Sequence, residues 1–93
     1  MNKLLLVKIT EKSNNGEKEL YLHPVKDTYG NVYEYDSLTT KYFWTDNFDS
    51  VDSLIDLYKM ETLESCPWIG LKIEKIVYNI SEAVIMFDKE LNK

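Results

Sequence analysis

The sequence contains no arginine and no glutamine, and it has one cysteine and one histidine among its 93 residues. Arginine's planar, five-donor fork is the protein group best suited to gripping phosphate and guanine. A chain without it, and with a formal net charge of −5, is poorly suited to bind nucleic acid directly. A single cysteine cannot form an internal disulfide, which agrees with a reducing compartment such as the cytoplasm.

Long apolar runs are also missing. The longest are Leu4–Val7 and Ala83–Phe87, far below the roughly 20 residues that a membrane-spanning helix needs. The first of them is also too short for the apolar region of a signal peptide. We therefore expect a cytoplasmic protein with no membrane partner. The length and the 44% apolar content predict a single domain, residues 1–93.

No motif for catalysis, metal binding or phosphate binding is present. His23 and Cys66 stand 43 positions apart, without the short spacings of zinc ligands, and we interpret them as a strand residue and a structural cysteine. The acidic stretch from Asp46 lacks the glycine and the closing glutamate of a calcium loop, since Val51 and Leu57 occupy those positions. The sequence therefore predicts no catalytic residue, no metal and no cofactor, and a protein that is not an enzyme.

Alternating apolar and polar residues predict four strands in the first half of the chain. They are Lys3–Lys12, Glu19–Val25, Val32–Tyr35 and the short Thr40–Thr45. Asp36 and Ser37 should end the third strand. Pro24 has no amide hydrogen, so the second strand should end there or lie at a sheet edge.

One helix is indicated by a single apolar stripe of Val51, Leu54, Ile55 and Tyr58. Asp49 or Ser50 would be its N-cap, and it should run over residues 50–61 and end near Glu61 or Thr62, before Cys66-Pro67.

Residues 69–80 fit a strand or a helix, and their β-branched content favours a strand. A change in their alternation predicts a bulge around Glu74-Lys75. Ser81–Ala83 would then be a turn and Val84–Phe87 a last strand, with a C-terminal helix from Ser81 as the alternative. The predicted fold is an α+β domain, with an antiparallel sheet of about five to six strands and the amphipathic helix packed on one face.

The excess negative charge lies in one segment. Residues 1–41 and 71–93 are each neutral, whereas residues 42–70 carry six acids and one lysine, a net of −5. A compact segment of this kind would repel phosphate and attract a basic protein. The simpler alternative is the solvated side of an amphipathic helix.

Aromatic residues crowd into the same part of the chain. Seven of them lie between Tyr29 and Phe48, and a small core cannot easily enclose them all. We expect Phe43 and Phe48 in the core, and Trp44 partly exposed with several tyrosines. The predicted partner-binding residues are Tyr42, Trp44, Asp46, Asp52, Asp56, Glu61 and Glu64. The alternative is an aromatic sheet face packed under the helix.

The overall character resembles that of phage-encoded anti-defence proteins such as anti-CRISPRs: small, acidic, aromatic, without arginine and without a catalytic set. The resemblance is one of composition and covers no motif. It implies an inhibitor that occupies a basic surface of a nucleic-acid-handling enzyme, a CRISPR effector nuclease being one such partner.

Three other functions stay open at this point. An immunity protein or antitoxin would be equally acidic and would neutralise a basic toxin. A phage or plasmid accessory protein would use the aromatic face to form a homodimer or a larger homo-oligomer. A small enzyme would need a pocket that holds His23 or a pair of carboxylates.

Overall fold

The computed structural model describes residues 3–45 and 48–83. They form five strands and one long helix in the order ββββαβ. The strands are β1 (Lys3–Ser13), β2 (Gly16–Lys26), β3 (Val32–Leu38), β4 (Phe43–Trp44) and β5 (Gly70–Asn79), and the helix is α1 (Val51–Ser65), which follows a 3₁₀ turn at Phe48–Ser50. The strand pairings are antiparallel, and the predicted α+β class is confirmed.

β1 is the central strand of the sheet. One of its edges pairs with β5 along its length, from Lys3–Asn79 to Lys12–Gly70. The other edge pairs with β2 from Lys8 onward, and with β4 at Leu5 and Leu6. β2 therefore leaves β1 halfway along and continues with β3, which curls the sheet into a half-barrel. β4 occupies the edge of β1 that β2 has left.

The second and third strands are longer than predicted. β2 begins at Gly16 and continues past Pro24, which pairs with Tyr35 of β3. The β1–β2 pairing ends at Tyr21, so at Pro24 only one edge of β2 is hydrogen-bonded to a neighbouring strand. A proline is tolerated there because its missing amide hydrogen can face the unpaired edge. The prediction that Asp36 and Ser37 end β3 is wrong. Both residues pair with β2, since the hydrogen bonds of the ladder outweigh their weak strand preference.

The bulge predicted near Glu74-Lys75 is also wrong, because β5 pairs with β1 in one unbroken register. The change in alternation has another cause. Ile73 faces α1 and packs against the core, whereas Ile76 pairs with Leu6 on the opposite sheet face. The apolar positions therefore change from one face of β5 to the other although the strand has no bulge. This change gives the same sequence pattern as a bulge would.

The helix ends later than predicted, at Ser65. The amide of Cys66 donates a hydrogen bond to the carbonyl of Thr62 at 2.8 Å and closes the last turn. Pro67 disfavours helical backbone in the residue before it, and Cys66 accordingly adopts φ −140°. The proline, rather than the polarity of the preceding residues, sets the end of the helix.

The segment after β5 differs from the predicted turn at Ser81–Ala83. Residues 80–83 are helical, so the turn is wrong and the alternative of a helix from Ser81 fits these residues. The strand predicted at Val84–Phe87 lies outside the described residues.

The core lies between α1 and the concave side of the sheet. It is formed by Leu5, Val7 and Ile9 of β1, Leu20 and Leu22 of β2, Trp44 of β4, and Val51, Leu54, Ile55 and Tyr58 of α1. The apolar stripe predicted for the helix is therefore buried as expected. Each such side chain contributes about 1.5–3 kcal/mol when fully buried.

Trp44 contradicts the prediction of partial exposure, since its side chain is 0% exposed. It pairs with Leu5 and shares that residue's core-facing side, and its indole Nε1 donates to the carbonyl of Leu22 at 3.1 Å. Phe43 and Phe48 are half-buried. Phe48 packs against the core, whereas Phe43 contacts Tyr78 edge to face at 5.7 Å, on the face away from α1.

Candidate protein-binding surface

The outward side of α1 carries a row of exposed acidic and apolar side chains. Asp52, Asp56, Met60 and Glu64 follow one another at a spacing of four residues, so they lie along one ridge of the helix. Leu63 lies beside this ridge and is exposed as well. We call these five residues the acidic helix face.

Apolar side chains interrupt the acids on this face. Met60 is 54% exposed and Leu63 is 42% exposed, and Trp68, in the turn after the helix, is 68% exposed. Folding does not bury these three side chains. Tryptophan and methionine are enriched at protein interfaces, and an exposed tryptophan is a frequent anchor there.

Asp52 has a structural role in addition to its exposure. It lies in the first turn of α1, where the helix dipole favours negative charge. Its carboxylate also pairs with Lys75 of β5, at 2.8 Å, and so ties the start of the helix to the sheet. The preceding N-cap residue, Ser50, makes no side-chain capping bond. These two roles explain why residue 52 is acidic, so Asp52 by itself does not indicate that this surface binds another protein.

Glu64 has no such explanation. It lies in the last turn of α1, which contains no basic residue, and the dipole there disfavours negative charge by about 0.3–1 kcal/mol. Asp56 lies in the middle of the helix, where the dipole gives no local reason for an acid. These two side chains are exposed, and neither is required by the fold.

The structure gathers some of the predicted partner-binding residues and separates others. Asp52, Asp56 and Glu64 lie on the acidic helix face, and Glu61 projects from the same helix toward β3. Tyr42 is exposed but packs on His23, with 4.3 Å between ring centroids, away from α1. Trp44 is buried and offers no surface to a partner. Asp46 lies outside the described residues.

Sequence reasoning missed the apolar members of this surface. Met60 and Leu63 fall outside the stripe of the helix that faces the core, and this spacing was the signal that could have revealed them. Trp68 follows Pro67, in a turn where no periodicity predicts burial or exposure.

A cleft opens beside this surface, where the C-terminal half of α1 crosses β1 and β3. Its volume is about 330 Å³. Tyr58 donates its hydroxyl hydrogen to Glu11 of β1, and Tyr35 of β3 donates to Glu61. The two phenol rings meet edge to face, with centroids 5.7 Å apart. The cleft therefore contains two carboxylates, each held by a phenol.

Both phenols are harder to ionise than free tyrosine. Burial raises the pKa of Tyr35 from 10.0 to about 12, and the hydrogen bond to the Glu61 carboxylate acts in the same direction. Burial likewise raises the pKa of Tyr58, and its bond to Glu11 adds to the effect. Both groups therefore remain neutral donors at physiological pH.

We expect the free energy of unfolding to fall as the pH rises from 10.0 to about 12. The folded state holds the Tyr35 proton more tightly than the unfolded chain does. This contribution is therefore complete below the unfolded pKa and is lost as the pH passes the folded one. Urea unfolding at a series of alkaline pH values measures it. Tyr35→Phe should make this dependence less steep, with the contribution of Tyr58 remaining, and an equally steep slope in that variant would contradict the assignment.

A second cavity, of about 470 Å³, lies between β2, β3 and β4 and includes His23. The Nδ1 atom of His23 is buried there without a hydrogen-bond partner among the described residues. Cys66 lines the cleft at the end of α1 instead, so the fold does not form a Cys–His pair. Residues 3–45 and 48–83 contain no group of three or more acidic, histidine or cysteine side chains placed to hold a metal ion.

No family model matches the chain, and no curated protein or solved structure is significantly similar to it. Within the described residues, no helix has the length and apolar character needed to cross a membrane.

Proposed function

We propose that the chain is a non-enzymatic inhibitor that binds another protein through the acidic helix face and Trp68. The partner would be a nucleic-acid-handling enzyme with a basic surface, as for an anti-CRISPR or a similar anti-defence protein. The observation that carries the proposal is the exposure of Met60, Leu63 and Trp68 next to acids that the fold does not require.

The charge of the helix favours a basic partner. Four of the fifteen residues of α1 are acidic and one is lysine. Surfaces that bind nucleic acid carry clustered lysine and arginine, so they complement such a helix and would be occupied by it. Complementary charge mainly speeds association and selects the partner, whereas the apolar side chains supply binding energy by leaving water.

Two alternatives make different use of this surface. An immunity protein would dock it on a basic toxin, and the identity of the captured partner separates this case from an anti-defence inhibitor. A homodimer through the same face would bring two acidic helices together, and this like-charge contact is unfavourable.

The test compares the parent chain with Asp56→Lys/Glu64→Lys. Proteins that the immobilised parent retains from a host lysate are identified by mass spectrometry, and the affinity of the purified partner is then measured at low and high salt. We expect the double variant to bind at least about tenfold more weakly, and the parent to lose affinity as salt increases. The partner's nucleic-acid binding should fall on stoichiometric addition of the parent.

Glu34→Lys/Glu82→Lys is the matched control, because it makes the same change in net charge at exposed positions outside α1. It should bind nearly as well as the parent. Glu64→Lys favours the helix dipole, so a loss of binding cannot be attributed to a weakened helix. Equal binding by the parent and the Asp56→Lys/Glu64→Lys variant, at both salt concentrations, would overturn the proposal.

A further inference from the structure

The cleft at the C-terminal half of α1 has a composition that the acidic helix face does not share. Its walls contain two phenol rings, from Tyr35 and Tyr58, and two carboxylates, from Glu11 and Glu61. The rings come from different elements and are fixed relative to each other by their edge-to-face contact. The cavity is therefore aromatic and acidic at once.

The phenols orient the carboxylates without neutralising them. A carboxylate can accept about four hydrogen bonds, and each phenol hydroxyl uses one of these positions. Glu11 and Glu61 thus keep further lone pairs, and the hydroxyls of Ser37, Thr62 and Ser65 add acceptors around the same cavity. The lining is rich in acceptors that point from several directions.

The lining of the cleft is negatively charged, although Lys18 of β2 lies opposite Glu11 in the β1–β2 ladder. None of the residues that line it is lysine or histidine. The negative end of the α1 dipole lies at the same end of the helix, where Ser65 and Cys66 border the cavity. Glu11 lies on the core-facing side of β1, the side that also carries Val7 and Ile9, and it is half-buried.

These features fit a guanidinium group better than other cations. A guanidinium is planar, stacks on aromatic faces and presents five donors in a fixed fork, which suits acceptors spread around a cavity. An ammonium has three donors on one compact atom and is more strongly hydrated. Cations over tyrosine faces gain additional attraction from the ring.

We propose that this cleft binds the guanidinium group of an arginine side chain. The identity of the carrier rests on the proposed function: the arginine belongs to the basic surface on which the acidic helix face docks. Trp68 follows Cys66 by two residues, so the arginine would enter beside the exposed tryptophan. The cleft then supplies the specificity that a charged helix surface alone lacks.

The full chain is titrated with N-acetyl-arginine amide, N-acetyl-lysine amide and N-acetyl-citrulline amide while amide chemical shifts are recorded by NMR. We expect saturable shifts at cleft residues with the arginine probe, weaker binding of the lysine probe and none of the neutral citrulline probe. Glu61→Gln and Glu11→Gln should each weaken the arginine probe by about fivefold, since each removes a charge-assisted acceptor.

Glu82→Gln is the matched control, because it removes one carboxylate charge from an exposed position outside both the cleft and the acidic helix face. It should leave binding of the arginine probe unchanged, and thermal melts verify that all variants are folded. Equal binding of the lysine and arginine probes, equal effects of Glu61→Gln and Glu82→Gln, or no saturable shift would each overturn the assignment.

The outcomes also separate this proposal from the proposed function. If the arginine probe fails to bind while charge reversal on the acidic helix face abolishes partner capture, the cleft assignment falls and the docking surface stands. If the probe binds and partner capture is insensitive to charge reversal, the docking surface falls and the cleft stands.

Discussion

Trp44→Ala is expected to destabilise the chain by about 3–5 kcal/mol, because the largest fully buried side chain of the core is replaced by a cavity. The Leu22 carbonyl also loses its hydrogen bond from the indole, which costs about 1–3 kcal/mol if the group stays buried without another partner. A domain of this size has about 5–15 kcal/mol of stability in total. The variant should therefore be largely or wholly unfolded at physiological temperature.

Circular dichroism and urea unfolding measure this effect, and Trp44→Phe is the informative comparison. Phenylalanine keeps an aromatic ring in the core but cannot donate to Leu22, so its loss should be smaller than that of alanine. A Trp44→Ala chain that melted within a few degrees of the parent would show that the indole is not part of the core.

Trp68→Ala is expected to leave the fold intact and weaken partner binding. The side chain is 68% exposed, so its removal takes little buried area from the domain. Anchor residues of protein interfaces cost about 2 kcal/mol or more on truncation, equivalent to roughly 30-fold in affinity. Calorimetric titration of the captured partner measures the loss, and a thermal melt should coincide with that of the parent.

The two tryptophan variants serve as controls for each other. The same substitution should reduce stability at one position and affinity at the other. An unchanged affinity in Trp68→Ala would remove this residue from the docking surface, whatever the effect of charge reversal on α1.

The local parts of the fold were accessible from the sequence because short-range chemistry determines them. The apolar stripe from Val51 to Tyr58 predicts the buried side of α1, and the turn at residues 13–16 joins two alternating segments. The bulge in β5 was a wrong prediction for an instructive reason. Alternation reports which face is apolar, and the apolar positions of β5 change face between Ile73 and Ile76 although the strand itself is regular.

The candidate site was harder to predict because exposure depends on distant residues. Trp44 and Trp68 are chemically identical, and their surroundings in the sequence do not separate them. Trp44 is buried because β2 diverges from β1 and leaves an edge for β4. The cleft unites Glu11 with Tyr58, which lie 47 positions apart, and no local pattern links such residues.

The placement of β1 at the centre of the sheet has a consequence for the order of folding. The β1–β2 hairpin closes locally, at Ser13 and Gly16, whereas the β1–β5 ladder joins residues 58 to 76 positions apart. Closing such a loop carries a large entropic cost before any contact offsets it. During synthesis this edge of β1 stays unpaired until β5 has been made, so the chain can complete its sheet only after residue 79 has left the ribosome.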